Sequence, residues 1–287
     1  MRDLHASQVQ LVVDTINALR TDRITLERRF EVGDGAGAHS VRLSNGDAAV
    51  LKWWPVAVEN KRDSVLRLPR IDRLRELGWP IPKLLEAGSS DGAIYELWAA
   101  APGQPGVHYL MPSIFVDQAI DLLQTAKGAA LGDGSDWPSW ITTVIRASIE
   151  QVEPNASASA LQVLSACGDA IAEASLTPGR DIIHGDFGPA NCLIEEDQIL
   201  AVVDFDDCRD GDGTLDLIGL VWELEGWEKA APEVIESLWN RIRRSVAPGS
   251  ERVLLAYWIA GSLRWAAGTE WEEHIVMLSH RTWNRLT

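Results

Sequence analysis

Residues 182–207 read IIHGDFGPANCLIEEDQILAVVDFDD, in which a polar loop is followed by two apolar runs and an acidic end. The runs CLI and ILAVVDF are typical of strands, and residues 195–198 form a polar turn between them, which predicts a β-hairpin. A hairpin brings its outer strand ends together, so Asn191, before the first strand, and Asp204, at the end of the second, are expected close together. Asp186 lies five residues before Asn191 on the same loop. Three oxygen-bearing side chains are therefore predicted to converge.

This grouping of side chains indicates a particular chemistry. Oxygen ligands in an open site suit Mg²⁺, which keeps several waters and bridges substrate phosphates. In phosphoryl transfer a carboxylate orients the acceptor hydroxyl, and a separate Lys holds the phosphates. We predict Asp186 as the catalytic base, with Asn191 and Asp204 as metal ligands, and we expect the His184 ring to hydrogen-bond the loop backbone. A polar loop with solvated acids is the alternative, but the joint pattern of HGDxxxxN, hairpin and DFD favours phosphoryl transfer.

The motifs HGDFGPAN, VVDFDD and GDGTLDLIGL resemble those of the aminoglycoside phosphotransferase and choline kinase-like family, relatives of the protein kinases. Asp212 and Asp216 fit the G-D-x-x-x-D-L segment of that family. The specific motifs occupy only residues 182–220. The resemblance implies an α+β, protein-kinase-like fold of two lobes, with a small β-rich N-terminal lobe and a larger, mostly helical C-terminal lobe. It also implies ATP, or GTP, and Mg²⁺ as cofactors.

The order of elements agrees with two lobes, because runs of strands followed by runs of helices are typical of α+β proteins. Apolar periodicity predicts a helix over residues 7–20 and strands between residues 28 and 54, with a hairpin at Asn45 and Gly46. Helical patterns dominate after residue 113. The predicted divisions are a nucleotide-binding lobe over residues 1–98, a hinge over residues 99–103, and a helical lobe with the catalytic and substrate site over residues 104–287.

The N-terminal lobe contains the residues expected to contact the nucleotide. Small residues in VGDGAGAHSV, residues 32–41, allow backbone N–H groups to approach phosphates. Lys52 ends an apolar strand shortly afterwards and is assigned to the α- and β-phosphates, and the resemblance places adenine at the hinge. The predicted nucleotide-binding residues are Lys52, Gly35, Gly37, Ser40, Trp98, Ala99 and Ala101.

The sequence departs from the family at the glutamate that should pair with this Lys. Counting back from GWPIP places Arg67 near the expected position. Glu59 and Asp63 lie one or two turns earlier and are the candidate substitutes. Pro69 implies a kink or a late start of the helix that carries them. The acid that pairs with Lys52 therefore stays open.

The net charge of -16 is unevenly distributed along the 287 residues. Residues 1–98 contain 14 Lys and Arg against 14 Asp and Glu, whereas residues 99–287 contain 12 against 28. An acidic surface repels nucleic acid and attracts cations, although solubility alone is also a sufficient explanation. VWELEGWEK and RWAAGTEWEEH combine Trp faces with carboxylates, which suits ammonium groups, unless these are core Trp residues with solvated acids. The predicted substrate residues are Asp206, Glu223, Glu270 and Trp271.

The predicted acceptor is therefore a small cationic molecule that carries a hydroxyl group. An antibiotic fits best, either an aminoglycoside or a tuberactinomycin-type peptide, and the resemblance implies that its phosphorylation confers resistance. A metabolic kinase for choline, homoserine or a fructosamine is the alternative within the fold. From other classes, the absent glutamate would suit a catalytically dead nucleotide-binding module. The Asp-x-Asp in VVDFDD would suit a phosphatase, but it falls late in the chain.

Other features limit the partners and the compartment. No apolar run approaches the roughly 20 residues needed to span a bilayer. MRDLHASQVQ lacks the apolar core of a signal peptide, which predicts a cytoplasmic protein. The three cysteines have no zinc-type spacing, and their odd number disfavours a disulfide framework. Neither nucleic acid nor membrane is an expected partner, and the oligomeric state stays open.

Overall fold

The structure, a computed structural model, describes residues 2–30, 38–55, 64–90, 93–108, 110–174, 176–245 and 249–286. Gly35 and Gly37 of the predicted phosphate loop, and the acids Glu59 and Asp63, lie outside the described residues. The chain divides into two compact units. The first comprises Met1–Leu66 with Ile81–Pro102, and the second comprises Arg67–Pro80 with Gly103–Thr287.

In its described residues, the first unit is a five-stranded antiparallel sheet with one helix. Its elements are α1 (Arg2–Leu19), β1 (Ile24–Arg29), β2 (Ala38–Leu43), β3 (Ala48–Pro55), β4 (Leu84–Ser90) and β5 (Ala93–Ala99). The strand order is β1-β2-β3-β5-β4. Alternate strand residues such as Leu51 and Leu97 pack with Val12 and Ile16 of α1 in one core. The predicted hairpin joins β2 to β3, with Gly46 at a φ of 93° that favours glycine.

The second unit is mainly helical. Its helices are the residues from 67 onward of α2 (Ser64–Glu76), then α3 (Ser113–Thr125), α4 (Trp137–Val152), α5 (Ala158–Glu173), α6 (Thr214–Gly226), α7 (Pro232–Ser245), α8 (Ser250–Ala266) and α9 (Glu272–Asn284). The apolar helix α8 is central, because it packs against α4, α5, α6 and α9. No helix in the described ranges combines the length and the apolar character needed to cross a membrane.

Two small sheets lie among these helices. Their strands are β6 (Gln104–Pro105), β7 (Asp181–Ile183), β8 (Cys192–Glu195), β9 (Gln198–Val202) and β10 (Arg209–Gly211). The strand order is β6-β8-β9 in one sheet, and β7 pairs with β10 in the other. Both sheets are antiparallel. The chain thus combines strands and helices in separate regions, as expected for an α+β protein.

Residues 67–80, which the sequence places within a lobe of residues 1–98, belong to the second unit. Their side chains explain the grouping. Arg67 and Arg70 form ion pairs with Asp206 and Asp210 of that unit at 2.9 and 2.7 Å. Trp79 donates its indole N–H to a backbone carbonyl of α3 at 3.1 Å. Pro69 lies inside α2, which continues on both sides of it.

Close backbone packing in the second unit leads to a stability prediction. Gly134 has a φ of 63°, and a Cβ added there would overlap the carbonyl oxygen of Gly179. We expect Gly134→Ala to lower the free energy of unfolding by about 1–3 kcal/mol from overpacking, with a further ~1 kcal/mol from the backbone conformation. Urea denaturation measures the change.

Gly128 offers a matched control for this substitution. It has a similar φ of 69°, but an added Cβ would meet nothing within 4 Å. Gly128→Ala should therefore cost only the backbone contribution. Equal losses in the two variants would show that the contact with Gly179 contributes nothing.

Candidate active site

The hairpin predicted from the sequence is present between β8 and β9. Glu196 and Asp197 form its turn with φ values of 48° and 64°, the left-handed pair typical of a two-residue hairpin turn. The ladder ends at Val202, but Val203 still donates its N–H to the carbonyl of Asn191 at 2.9 Å. Asp204 therefore directly follows the residue that pairs with Asn191.

Asp186 reaches the same place through a side-chain contact. The Asn191 amide Nδ2 donates to the carbonyl oxygen of Asp186 at 2.7 Å and to its carboxylate Oδ2 at 2.9 Å. The structure thus brings Asp186 and Asn191 into contact and places Asp204 beside them in the chain. Their catalytic roles stay predictions.

His184 makes the backbone contacts expected from the sequence. Its Nε2 lies 2.9 Å from the Val203 carbonyl, and its Nδ1 accepts the N–H of Asp186 at 3.2 Å. The Nδ1 contact requires an unprotonated nitrogen, which leaves the hydrogen on Nε2. The ring is fully buried, and its centroid is 4.4 Å from that of Phe205. His184 therefore joins the loop before Asp186 to the segment that carries Asp204.

Asp216, at the start of α6, supports the loop of Asp186, a role that was not predicted from the sequence. Its carboxylate is buried and accepts the backbone N–H groups of His184 and Gly185 at 2.7 and 2.8 Å. Burial raises its pKa to about 7, although both hydrogen bonds oppose the shift. The sequence feature that could have identified Asp216 is the match of GDGTLDL to the G-D-x-x-x-D-L segment. Asp216 holds the loop that presents Asp186.

Five acidic residues form what we call the acidic cluster: Asp186, Asp204, Asp206, Asp207 and Glu223. Burial, followed by the charge of Asp204, raises the pKa of Asp186 to about 6, while the Asn191 hydrogen bond opposes the rise. Burial and the charge of Asp186 raise the pKa of Glu223 to about 8. These carboxylates repel one another when they are ionised, and a bound cation would reduce that repulsion.

The oxygen atoms of Asn191 and of the neighbouring acidic cluster are of the type that Mg²⁺ binds. Asn191 and Asp204 supply an amide and a carboxylate oxygen beside Asp186. No three His, Cys, Asp or Glu side chains among the described residues form a cage for a metal ion. Magnesium that bridges substrate phosphates needs only one or two carboxylates from the protein, so this donor set is sufficient.

The predicted substrate residues are not all in equivalent positions. Asp206 forms an ion pair with Arg67. Glu223 lies so close to Gly188 that an added Cβ would overlap its carboxyl, and it accepts the N–H of Ala190 at 3.4 Å. The loop that follows Asp186 and helix α6 therefore meet at Glu223.

Glu270 and Trp271 lie on the exposed turn between α8 and α9. The Trp271 and Trp227 ring centroids are 5.4 Å apart, and the two side chains are 43% and 41% exposed. Trp227 follows Glu223 by one helical turn and donates its backbone N–H to the Glu223 carbonyl at 3.1 Å. Glu223 and the exposed Trp pair are thus connected through the end of α6.

Three predicted nucleotide residues, Ser40, Lys52 and Trp98, share one sheet face of the first unit. Each is flanked in its strand by a core residue, so its side chain points away from the core that contains α1. The register pairs Ser40 with Val50 and Val50 with Trp98, so Ser40 and Trp98 lie in one row across the sheet. Lys52 lies above the Trp54 ring at 5.4 Å.

The other described nucleotide residues lie near the end of β5. The Trp98 indole donates to Glu96 at 3.0 Å, and the N–H of Ala99 donates to the Lys83 carbonyl at 2.8 Å. Ala101 lies in the loop that follows β5. Glu96 is buried and directly opposite Lys52 in the β3–β5 register. The nucleotide roles of all these residues stay predictions.

Glu223→Gln should remove part of the pH dependence of stability. Because the folded-state pKa of about 8 exceeds the ordinary 4.5, this group's contribution is fully present below about pH 4.5 and is lost as the pH rises through 8. Glutamine does not ionise, so the melting temperature of the variant should exceed that of the wild type at about pH 9. Differential scanning calorimetry at about pH 4 and pH 9, without divalent metal, measures this. If the melting temperature of the variant differs from that of the wild type by the same amount at pH 4 and at pH 9, the prediction is wrong.

Comparisons with known proteins find one matching family and several similar solved structures. The model of a family described as the phosphotransferase enzyme family matches residues 28–248. No curated protein sequence matches the chain. A spectinomycin phosphotransferase solved with ADP and spectinomycin is similar over 95% of this chain and 98% of its own, with a TM-score of 0.66 and 11% identity.

Two further solved structures show the same fold. A thermostable mutant of the aminoglycoside phosphotransferase APH(4)-Ia, solved with ADP and hygromycin B, covers 96% of this chain and 97% of its own, with a TM-score of 0.64 and 16% identity. A macrolide 2′-phosphotransferase from Brachybacterium faecium is similar over 93% of this chain and 97% of its own, with a TM-score of 0.58 and 18% identity. They confirm the predicted fold class, an α+β, protein-kinase-like fold with a β-rich and a helical part. The matches confirm the family predicted from HGDFGPAN and VVDFDD. They also confirm the predicted enzyme class, a phosphotransferase with an alcohol group as acceptor. The chain belongs to the phosphotransferase enzyme family.

Proposed function

We propose that this chain is an ATP- and Mg²⁺-dependent O-phosphotransferase that phosphorylates a hydroxyl of a small cationic molecule. One observation carries the proposal: the Asn191 amide bonds the Asp186 carboxylate, and the Asn191 carbonyl bonds the residue before Asp204. A catalytic carboxylate beside two oxygen ligands is the arrangement that phosphoryl transfer requires.

Asp186 would orient the acceptor hydroxyl and accept its proton at the carboxylate. Asn191 holds one carboxylate oxygen, while Asp216 and His184 fix the loop backbone. Asn191 and Asp204 would hold Mg²⁺, which when bound neutralises charge on the phosphates. The loose transition state demands positioning more than a strong base, so a carboxylate is adequate.

The nucleotide would be held by Lys52 at its phosphates and by Ser40, Trp98, Ala99 and Ala101. The common sheet face of Ser40, Lys52 and Trp98 supports this assignment. Two similar structures contain ADP, which supports an adenine nucleotide. We propose ATP as the donor, with GTP as the alternative to be tested.

The acceptor is proposed to be a cationic antibiotic, an aminoglycoside or a tuberactinomycin-type peptide, whose phosphorylation would give resistance. The acidic cluster supports a cation, since Asp186 and Glu223 both have raised pKa values that an ammonium group would lower. The exposed Trp227 and Trp271 offer cation–π contacts one helical turn beyond Glu223. Two similar structures contain hygromycin B or spectinomycin, which favours an antibiotic over a metabolite.

A turnover assay tests the proposal. Purified protein with Mg²⁺ and either ATP or GTP would be offered aminoglycosides, tuberactinomycin-type peptides, choline, homoserine and a fructosamine, and the phosphorylated products would be identified by mass spectrometry. We expect ATP-dependent phosphorylation of a polycationic antibiotic. Turnover of only a metabolite would replace the antibiotic with the metabolic alternative. Nucleotide binding without any turnover would favour the catalytically dead module.

A further inference from the structure

We infer that Arg67 is a positioning residue for the proposed metal ligand Asp204 and acts through Asp206. The inference rests on the proposed function, because it assumes that Asp204 binds the metal. It reassigns Asp206 from the substrate role predicted from sequence to a support of the metal site. It also gives a role to Arg67, which lies near the position where the family is expected to have a glutamate.

The ion pair between Arg67 and Asp206 is largely buried. The Arg67 guanidinium donates to Asp206 Oδ1 at 2.9 Å, and the two side chains are 3% and 23% exposed. Removing one partner of a buried pair leaves an uncompensated charge and is strongly destabilising, so each partner restricts where the other can lie. Helix α2 is therefore attached to the segment that immediately follows Asp204.

A second pair strengthens this attachment. Arg70, one turn further along α2, donates to both carboxylate oxygens of Asp210 at 2.9 and 2.7 Å. Asp210 also accepts the N–H groups of Leu131 and Gly132 at 3.1 and 2.9 Å. Bidentate arginine–carboxylate pairs are geometrically specific. The segment from Asp206 to Asp210 is thus fixed at both ends by one helix.

The backbone of Asp204 depends on that fixed segment. Its φ of 67° is in the left-handed region, which is costly for a residue other than glycine. The next residue, Phe205, is buried against His184 and accepts the N–H of Cys208 at 3.2 Å, which closes a turn around Asp206. Strained conformations persist only where neighbouring contacts maintain them. Arg67 maintains this turn, and hence the direction of the Asp204 carboxylate.

The sign of one mutational effect separates positioning from simple electrostatics. Arg67→Met removes a positive charge near the acidic cluster, so Coulomb attraction alone would tighten the binding of a cation. Loss of positioning would instead weaken it, since removing a group that orients metal ligands costs about 10–100-fold in metal affinity. We expect about tenfold weaker binding. Arg67→Lys, which keeps the charge, should recover part of the loss.

Electron paramagnetic resonance of Mn²⁺ with full-length protein and a non-hydrolysable ATP analogue measures the affinity without any turnover. Arg285→Met is the control, because Arg285 pairs with Glu225 and Glu236, on helices that carry none of the proposed metal ligands. Melting temperatures report folding separately. In an Asp206→Asn background, Arg67→Met should no longer weaken Mn²⁺ binding.

The outcomes are distinct. The inference is supported if Arg67→Met weakens Mn²⁺ binding in the wild-type background, while Arg285→Met leaves it unchanged. Unchanged or tighter binding overturns it and leaves the proposed function intact. If Arg67→Met does not fold, Arg67→Lys replaces it. The inference is then overturned if the single variants Arg67→Lys and Asp206→Asn both bind Mn²⁺ as tightly as the wild type. Absence of Mn²⁺ binding by the wild type overturns the proposed function and this inference together.

Discussion

Asp186→Asn is expected to lower kcat by about 10²–10⁴-fold, because an amide cannot accept the proton of the acceptor hydroxyl. The substitution preserves shape, and its carbonyl oxygen can still accept the hydrogen bond from the Asn191 amide. Affinity for a non-hydrolysable ATP analogue should therefore remain close to that of the wild type. Steady-state kinetics with the acceptor found in the turnover assay, together with calorimetric titration of the nucleotide, measures both quantities.

Asp133→Asn is the matched control, because Asp133 is an exposed loop residue whose carboxylate accepts the N–H of Ser135 at 3.0 Å. It should leave kcat unchanged. Stability gives a further check, since Asp186→Asn removes a carboxylate whose pKa of about 6 reflects an unfavourable environment for its charge. The melting temperature above about pH 7 should consequently rise. A wild-type kcat for Asp186→Asn would reject Asp186 as the base.

Asp216→Ala is expected to have the largest effect on stability. It leaves the buried N–H groups of His184 and Gly185 without their acceptor, and each such loss costs about 1–3 kcal/mol. The free energy of unfolding should therefore fall by about 2–6 kcal/mol in total. Because the same loop presents Asp186, kcat should fall in the protein that remains folded. Urea denaturation and kinetics below the unfolding transition measure the two effects.

Asp212→Ala provides the comparison from the same helix start. The Asp212 carboxylate accepts the N–H of Thr214 at 2.9 Å in a partly exposed position, so its loss should cost about 1 kcal/mol, as for an ordinary helix cap. A similar loss for Asp212→Ala and Asp216→Ala would show that the buried bonds to His184 and Gly185 add no special stability.

Part of the site could be predicted from sequence because its geometry is local. Asp186, Asn191 and Asp204 lie within one loop and one hairpin, and the strand period with a two-residue turn determines which ends meet. The hydrogen bonds that join them span few residues, as between Asn191 and Asp186 or between His184 and Asp186. Motif spacing alone therefore predicted the grouping.

Other parts required the folded chain. Asp206 was predicted to contact substrate, and the structure pairs it with Arg67, which is 139 residues away in the sequence. No spacing rule links two helix or loop residues at such a separation, since their approach depends on how α2 packs. The same holds for Asp216 beneath the His184 loop and for the pairing of Trp227 with Trp271.

The sequence by itself determined the local arrangement of this protein: the loop, the hairpin, the grouping of Asp186, Asn191 and Asp204, and the order of strands before helices. Tertiary structure decided which distant side chains contact that arrangement, namely Asp216 at the His184 loop and Arg67 at Asp206. The physical reason is that hairpin geometry follows from backbone dihedrals over a few residues. Contacts between distant elements instead depend on the packing of whole helices, which residue spacing does not encode.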